Sequence, residues 1–123
     1  MATTYDRARN ASVGGTTTIA NGEALSDIVK TEGCTAVFLT FPAVTSATFS
    51  FDVQIRQGGE FEALYDEDGN EVTLGSAFTA ARTQYVPQLA FAYAFKIRSG
   101  TLAAPVNQGA LRTIEFAVVG EQR

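Results

Sequence analysis

The chain has 123 residues, of which 46% are hydrophobic and 18% are charged, and its formal net charge is -4. This length and composition are typical of one folded domain with a single core, and they exclude a disordered chain. Basic residues are scattered and outnumbered by acidic ones. Nucleic-acid binding needs a concentrated cationic face, so we expect no nucleic-acid partner.

Three further sequence features restrict the cellular environment and the chemistry expected of the protein. No apolar run approaches the roughly 18 residues that a membrane span requires, so no membrane partner is expected. The N-terminus lacks the apolar stretch of a secretory signal, which predicts synthesis in a cytoplasm. Cys34 is the only cysteine and precedes an apolar run, so we expect a buried small hydrophobic side chain rather than a reactive thiol.

The first fifteen residues differ from the rest of the chain because they are polar and end in Gly14-Gly15, which we interpret as a flexible joint. Two alternatives remain open for residues 1–15: a disordered tail, or an arm that becomes ordered on a partner by strand addition or wrapping. In the second case Tyr5, Arg7 and Arg9 are the candidate partner-binding residues. Residues 16–123 form the predicted β-sandwich domain.

Large apolar side chains alternate with polar ones in three separate segments, 47–55, 93–98 and 112–118. A period of two places one side of a strand in a core, and it does not fit a helix. The predicted outward side chains include Asp52, Arg98 and Glu115. The predicted core faces hold Phe49, Phe51, Val53, Ile55, Tyr93, Phe95, Ile97, Ile114, Phe116 and Val118.

Shorter strands are predicted between these segments. The Asp68-Gly69 pair suits a tight hairpin turn, and we favour a strand over about Ala24 to Val29 where a short helix is the alternative. Residues 76–81 fit either a turn of helix or a loop. Seven or eight short strands predict an all-β fold, an antiparallel β-sandwich of jelly-roll-like type. The remaining candidate strands cover residues 16–20, 36–41, 61–65, 70–74 and 84–86.

The residue types exclude most catalytic chemistry. Histidine is absent and there is one cysteine, so neither a common zinc site nor a Ser-His-Asp or Cys-His arrangement can form. No glycine-rich phosphate-binding motif occurs. The sequence therefore predicts no enzyme activity, no cofactor and no metal site.

Carboxylates and tyrosines leave three weaker possibilities. The acidic turn around Asp66 resembles a calcium loop, but Glu71 stands where such a loop requires Gly, so a solvated hairpin tip is favoured over a looser calcium site. Asp52 and Glu115 are a conceivable glycosidase pair, but both lie on outward faces of predicted strands, where ion pairs with Lys96 or Arg98 are the simpler explanation. Exposed aromatic residues can stack on sugars, and the candidates are Tyr5, Tyr65 and Tyr85.

Several stretches resemble small virion structural proteins of tailed bacteriophages over roughly residues 16–119. The similar stretches are the Pro42-Ala43 turn, Phe51-Asp52-Val53-Gln54, Leu64 to Val72, Lys96 to Thr101, Ala104 to Gln108 and Arg112 to Ile114. The resemblance implies a β-sandwich component of the virion, a head decoration or cement protein that binds the major capsid protein or other virion proteins. A tail or baseplate component and a carbohydrate-binding module are the alternatives. Small subunits of this kind usually close around a threefold axis, so we expect a homotrimer.

Overall fold

The computed structural model describes residues 12–44, 48–75 and 80–120. These residues include eight strands and one short 3-10 helix, Pro87–Leu89, joined by loops, and no α-helix occurs within them. No helix in the described part of the chain is long and apolar enough to cross a membrane. The strands are β1 (Ser12–Ile19), β2 (Val29–Lys30), β3 (Ala36–Phe41), β4 (Phe49–Gln54), β5 (Glu62–Ala63), β6 (Arg82–Tyr85), β7 (Ala94–Ser99) and β8 (Arg112–Val119).

Two four-stranded sheets form the sandwich. Sheet A has the order β1-β8-β3-β6, and sheet B has the order β2-β7-β4-β5. All pairings are antiparallel, which confirms the predicted all-β sandwich. Apart from β4 and β5, neighbouring strands are not consecutive in sequence, because β8 lies between β1 and β3 while β7 lies between β2 and β4.

The core lies between the sheets and is rich in phenylalanine. Phe41 of sheet A and Phe49 of sheet B are both fully buried, with ring centroids 4.3 Å apart. Phe51 and Phe95 meet edge to face at 6.2 Å. Cys34 is buried as predicted. The period of two therefore correctly predicts which large apolar side chains face the core at the centres of β4, β7 and β8.

Several predictions need correction. Ile55 is 79% exposed because β4 ends at Gln54, and Arg98 is buried because the acidic hairpin and the loop after β7 cover its end of the outer face of sheet B. The predicted strand at 24–29 is reduced to β2, preceded by a single bridge between Leu25 and Arg98. Gly14 and Gly15 are not a joint, since β1 includes both of them.

The acidic turn has the predicted hairpin form. Gly69 has a φ of 83°, and its N–H donates to the Asp66 carbonyl at 3.0 Å. The Asp66 carboxylate accepts from the backbone N–H groups of Asp68 and Asn70, both at 2.9 Å. Its geometry is that of a self-capped, solvated turn. Residues 70–74 form only one bridge, between Tyr65 and Glu71, rather than a full strand.

Candidate docking surface

The outer face of sheet A carries two parallel rows of side chains that cross all four strands. The strand register sets both rows, because directly opposed residues of antiparallel strands share a face. We call them the aromatic row, Gly14, Ala117, Phe38 and Tyr85, and the hydroxyl row, Thr16, Glu115, Thr40 and Thr83.

The aromatic row forms a step. Phe38 and Tyr85 lie with ring centroids 4.9 Å apart and planes tilted by 31°, and they are 39% and 51% exposed. The other half of the row consists of Gly14, which has no side chain, and Ala117, whose methyl group adds little height above the sheet. A shallow groove of about 500 Å³ therefore lies over the small residues, with the Phe38 ring along one side.

The hydroxyl row gives the groove its polar groups. The hydroxyls of Thr40 and Thr83 are hydrogen-bonded to each other at 2.8 Å. Glu115 is the single charged residue of the two rows. An apolar wall beside hydroxyls and one carboxylate can accept either a side chain of a protein partner or the face of a sugar ring.

One end of the outer face of sheet B, around Arg98, is covered by the chain itself. Arg98 forms an ion pair with Asp52, and its Nη1 lies 3.7 Å from Oε2 of Glu71. The same Glu71 oxygen accepts a hydrogen bond from the Leu102 backbone N–H at 2.9 Å. These contacts attach the acidic hairpin and the loop after β7 to this end of sheet B, whereas the rows on sheet A border an open groove.

The structure separates most of the residues that the sequence grouped by chemistry. Asp52 lies on the outer face of sheet B and Glu115 on the outer face of sheet A, so they do not form a glycosidase pair. Tyr65 is half exposed on the acidic hairpin that follows β5 of sheet B, whereas Tyr85 lies on β6 of sheet A. Tyr5, Arg7 and Arg9 lie outside the described residues.

Phe38 is the surface residue that sequence reasoning missed. It stands in the continuous apolar run 36–41, for which the sequence predicts a strand without distinguishing its two faces. Alternation is nevertheless present within it, because Val37, Leu39 and Phe41 are fully buried while Phe38 between them is exposed. That period would have placed an aromatic ring on the outer face.

Metal and thiol chemistry find little support in the described residues. In these residues no three or more histidine, cysteine, aspartate or glutamate side chains lie close enough together to hold a metal ion. Burial raises the pKa of the Cys34 thiol, and hydrogen bonds from its surroundings offset this only partly. A protonated thiol in the core is a packing group rather than a nucleophile.

Comparisons with known proteins give a structural similarity but no match to a family or a curated protein. No protein-family model matches the chain, and no curated protein matches it. Among solved structures, the chain is similar to the SPBc2 prophage-derived protein YomS, with 14% sequence identity and a TM-score of 0.48. The match covers 88% of this chain and 96% of that chain. A similarity of this degree establishes no shared function, so the function has to be argued from the surface of this chain.

Proposed function

We propose that this chain is a non-enzymatic structural protein of a tailed-phage virion, a cement or decoration protein that binds the major capsid protein of the head. The observation that carries the proposal is the open outer face of sheet A, with the exposed Phe38–Tyr85 pair beside a floor of small residues. The resemblance of residues 16–119 to small virion proteins supports the same role.

The physical character of this face suits a protein partner. Aromatic side chains are enriched at the centres of protein interfaces, where they bury a large area with few rotatable bonds. With Glu115 as the single charge in the two rows, little charge has to be desolvated on docking. A cement protein binds a preassembled lattice by surface complementarity, and a shallow groove on a rigid sheet meets that need.

Co-sedimentation with phage heads tests the docking face. Tyr85→Ala is expected to weaken binding to heads that lack the protein by at least about tenfold, as removal of a central interface aromatic does. Tyr65→Ala is the matched control, because Tyr65 is equally exposed but lies on the acidic hairpin. Equal binding by the two variants would rule out this face. Retention on purified tails instead of heads would assign the protein to the tail or baseplate.

The N-terminal arm is a second part of the proposal. Arg7 and Arg9 are proposed to reach acidic patches on the shell, with Tyr5 as an additional contact. Because β1 begins at Ser12, the deletion should stop at residue 11 and leave the strand intact. Head occupancy should fall for this deletion and for Arg7→Glu combined with Arg9→Glu. Unchanged occupancy would limit the interface to the sandwich.

A carbohydrate-binding role is the second candidate, favoured by the hydroxyls that adjoin the exposed Tyr85 ring. In sugar binding the ring supplies the stacking face, and Thr83, Thr40 and Glu115 supply hydrogen-bonding groups along the same groove. Saturable binding on a glycan array, lost in Tyr85→Ala and kept in Tyr65→Ala, would support this role. Absence of binding across a broad array would remove it.

A further inference from the structure

The N-terminal half of β1 is an open sheet edge. In the order β1-β8-β3-β6, β1 has a neighbour strand on one side only, and Gly14, Gly15 and Thr16 are all exposed. Its C-terminal half is covered, because the Asp27 N–H donates to the Thr18 carbonyl at 3.2 Å and the Thr17 hydroxyl donates to the Asp27 carbonyl at 3.1 Å. Among the described residues, the covering of this edge begins at Thr17.

The contact with Asp27 also shows which backbone groups point outward. The Thr18 carbonyl points away from β8, and in a strand the N–H and C=O groups of alternate residues point to the same side. The N–H and C=O groups of Thr16, Gly14 and Ser12 therefore also point away from β8. They form an uninterrupted row of donors and acceptors.

This row lacks the features that usually protect an edge. Charged side chains, prolines, bulges and very short strands are the common means of preventing edge pairing. β2 and β5, the edges of sheet B, have two residues each, and β6, the other edge of sheet A, has four and includes Arg82. By contrast, β1 has eight residues, and Ser12–Thr16 contains no charge and no proline.

We infer that β1 pairs antiparallel with β1 of a second copy of this chain, about a twofold axis that passes beside Gly14. With Gly14 opposite Gly14 of the second copy, Ser12 lies opposite Thr16, and every outward backbone group of the open segment has a partner. A shift that centres the pair on Gly15 would bring Ser12 opposite Thr18, whose carbonyl is already bonded to Asp27. The length of the open segment thus selects one register.

The pairing also extends the candidate docking surface, and to that extent it rests on the proposed function. The two aromatic rows join into one line, so that Ala117 and Gly14 of both copies form a continuous floor between two Phe38–Tyr85 pairs. The two Phe38 residues lie five strand spacings apart, roughly 24 Å. The groove of one copy is therefore half of a symmetric trough that spans both copies. A segment of a partner protein can enter this trough from either side.

A charge-swap experiment at Gly14 tests both the contact and its register. A Cβ at Gly14 would lie 3.4 Å from the Phe116 carbonyl oxygen, so a side chain fits there in the monomer. Directly opposed like charges destabilise a strand pair and opposite charges stabilise it. Gly14→Asp alone and Gly14→Lys alone should each sediment as monomers, while the unmodified protein and an equal mixture of the two variants should sediment as dimers.

The control is Thr83→Asp, which adds the same charge to the same face at the opposite edge, and it should remain dimeric. Circular dichroism checks that each variant is folded. A monomeric unmodified protein, single variants that stay dimeric, or a mixture that stays monomeric would each overturn the inference. A trimer unaffected by the Gly14 variants would overturn it in favour of the threefold association expected from sequence. Since sedimentation needs no phage particle, its failure is separate from a failure to bind heads.

Discussion

Arg98 of β7 forms an ion pair with Asp52 of the neighbouring strand β4, and the two side chains are only 7% and 17% exposed. Its Nη1 also donates to the hydroxyl of Ser50 at 3.1 Å. Removing one member of a buried pair leaves the other charge in a poorly solvated site without its partner. This contact therefore links the stability of sheet B to the loops that cover the Arg98 end of its outer face.

Replacement of this arginine should lower stability strongly. We expect Arg98→Ala to reduce the free energy of unfolding by about 3 kcal/mol, because the carboxylates of Asp52 and Glu71 lose their shared cation. Urea denaturation measures the change. Arg56→Ala, at an exposed position, should change it by less than about 0.5 kcal/mol. Equal effects of the two substitutions would show that the ion pair contributes nothing.

Truncation of two phenylalanines of β3 should lower stability by very different amounts. Phe41→Ala opens a cavity between the sheets beside Phe49 and should cost about 3–5 kcal/mol. Phe38→Ala removes a ring from the outer face and should cost less than about 1 kcal/mol while weakening the proposed docking. Thermal unfolding followed by circular dichroism compares them. A large loss of stability in Phe38→Ala would mean that its ring supports the fold instead of a partner.

Gly100 is required by both its backbone angle and its surroundings. Its φ is 89°, and a Cβ there would lie 2.4 Å from the Ala104 carbonyl oxygen. Gly69 has a similar φ of 83° with nothing within 4 Å of its Cβ position. We expect Gly69→Ala to cost about 1 kcal/mol from backbone strain and Gly100→Ala at least about 2 kcal/mol, as measured by urea denaturation. Similar losses would show that the loop relaxes around the new methyl group.

The Cys34 thiol should be slow to react in the native protein. Burial both blocks access and raises its pKa, so at pH 8 a thiol reagent should react at least about tenfold more slowly than in urea. Because folding raises the pKa of the thiol, the titration of Cys34 contributes to the free energy of unfolding, and this contribution is complete below the pKa of the thiol in the unfolded chain. The contribution is lost as the pH rises through the folded value. Rapid labelling of the folded protein would contradict the buried position.

Local alternation predicted the strand centres well, because a period of two depends only on neighbours along the chain. Phe49, Phe51 and Val53 are buried as expected, and so is Ile114. The same pattern extended too far at Ile55, where the chain turns away after Gln54. Periodicity states which side chains share a face, but it does not state where pairing with the next strand ends.

The sequence by itself determined the fold class, the burial of Cys34 and the hairpin at Asp68-Gly69, since each depends on residue type and short-range spacing. Only the tertiary structure decided that Arg98 is covered, that Gly14 and Gly15 lie in an edge strand, and that Phe38 meets Tyr85. Each of these depends on which distant strands become neighbours. Which strands become neighbours is determined by long-range packing between the two sheets, and a local sequence pattern carries no information about that packing.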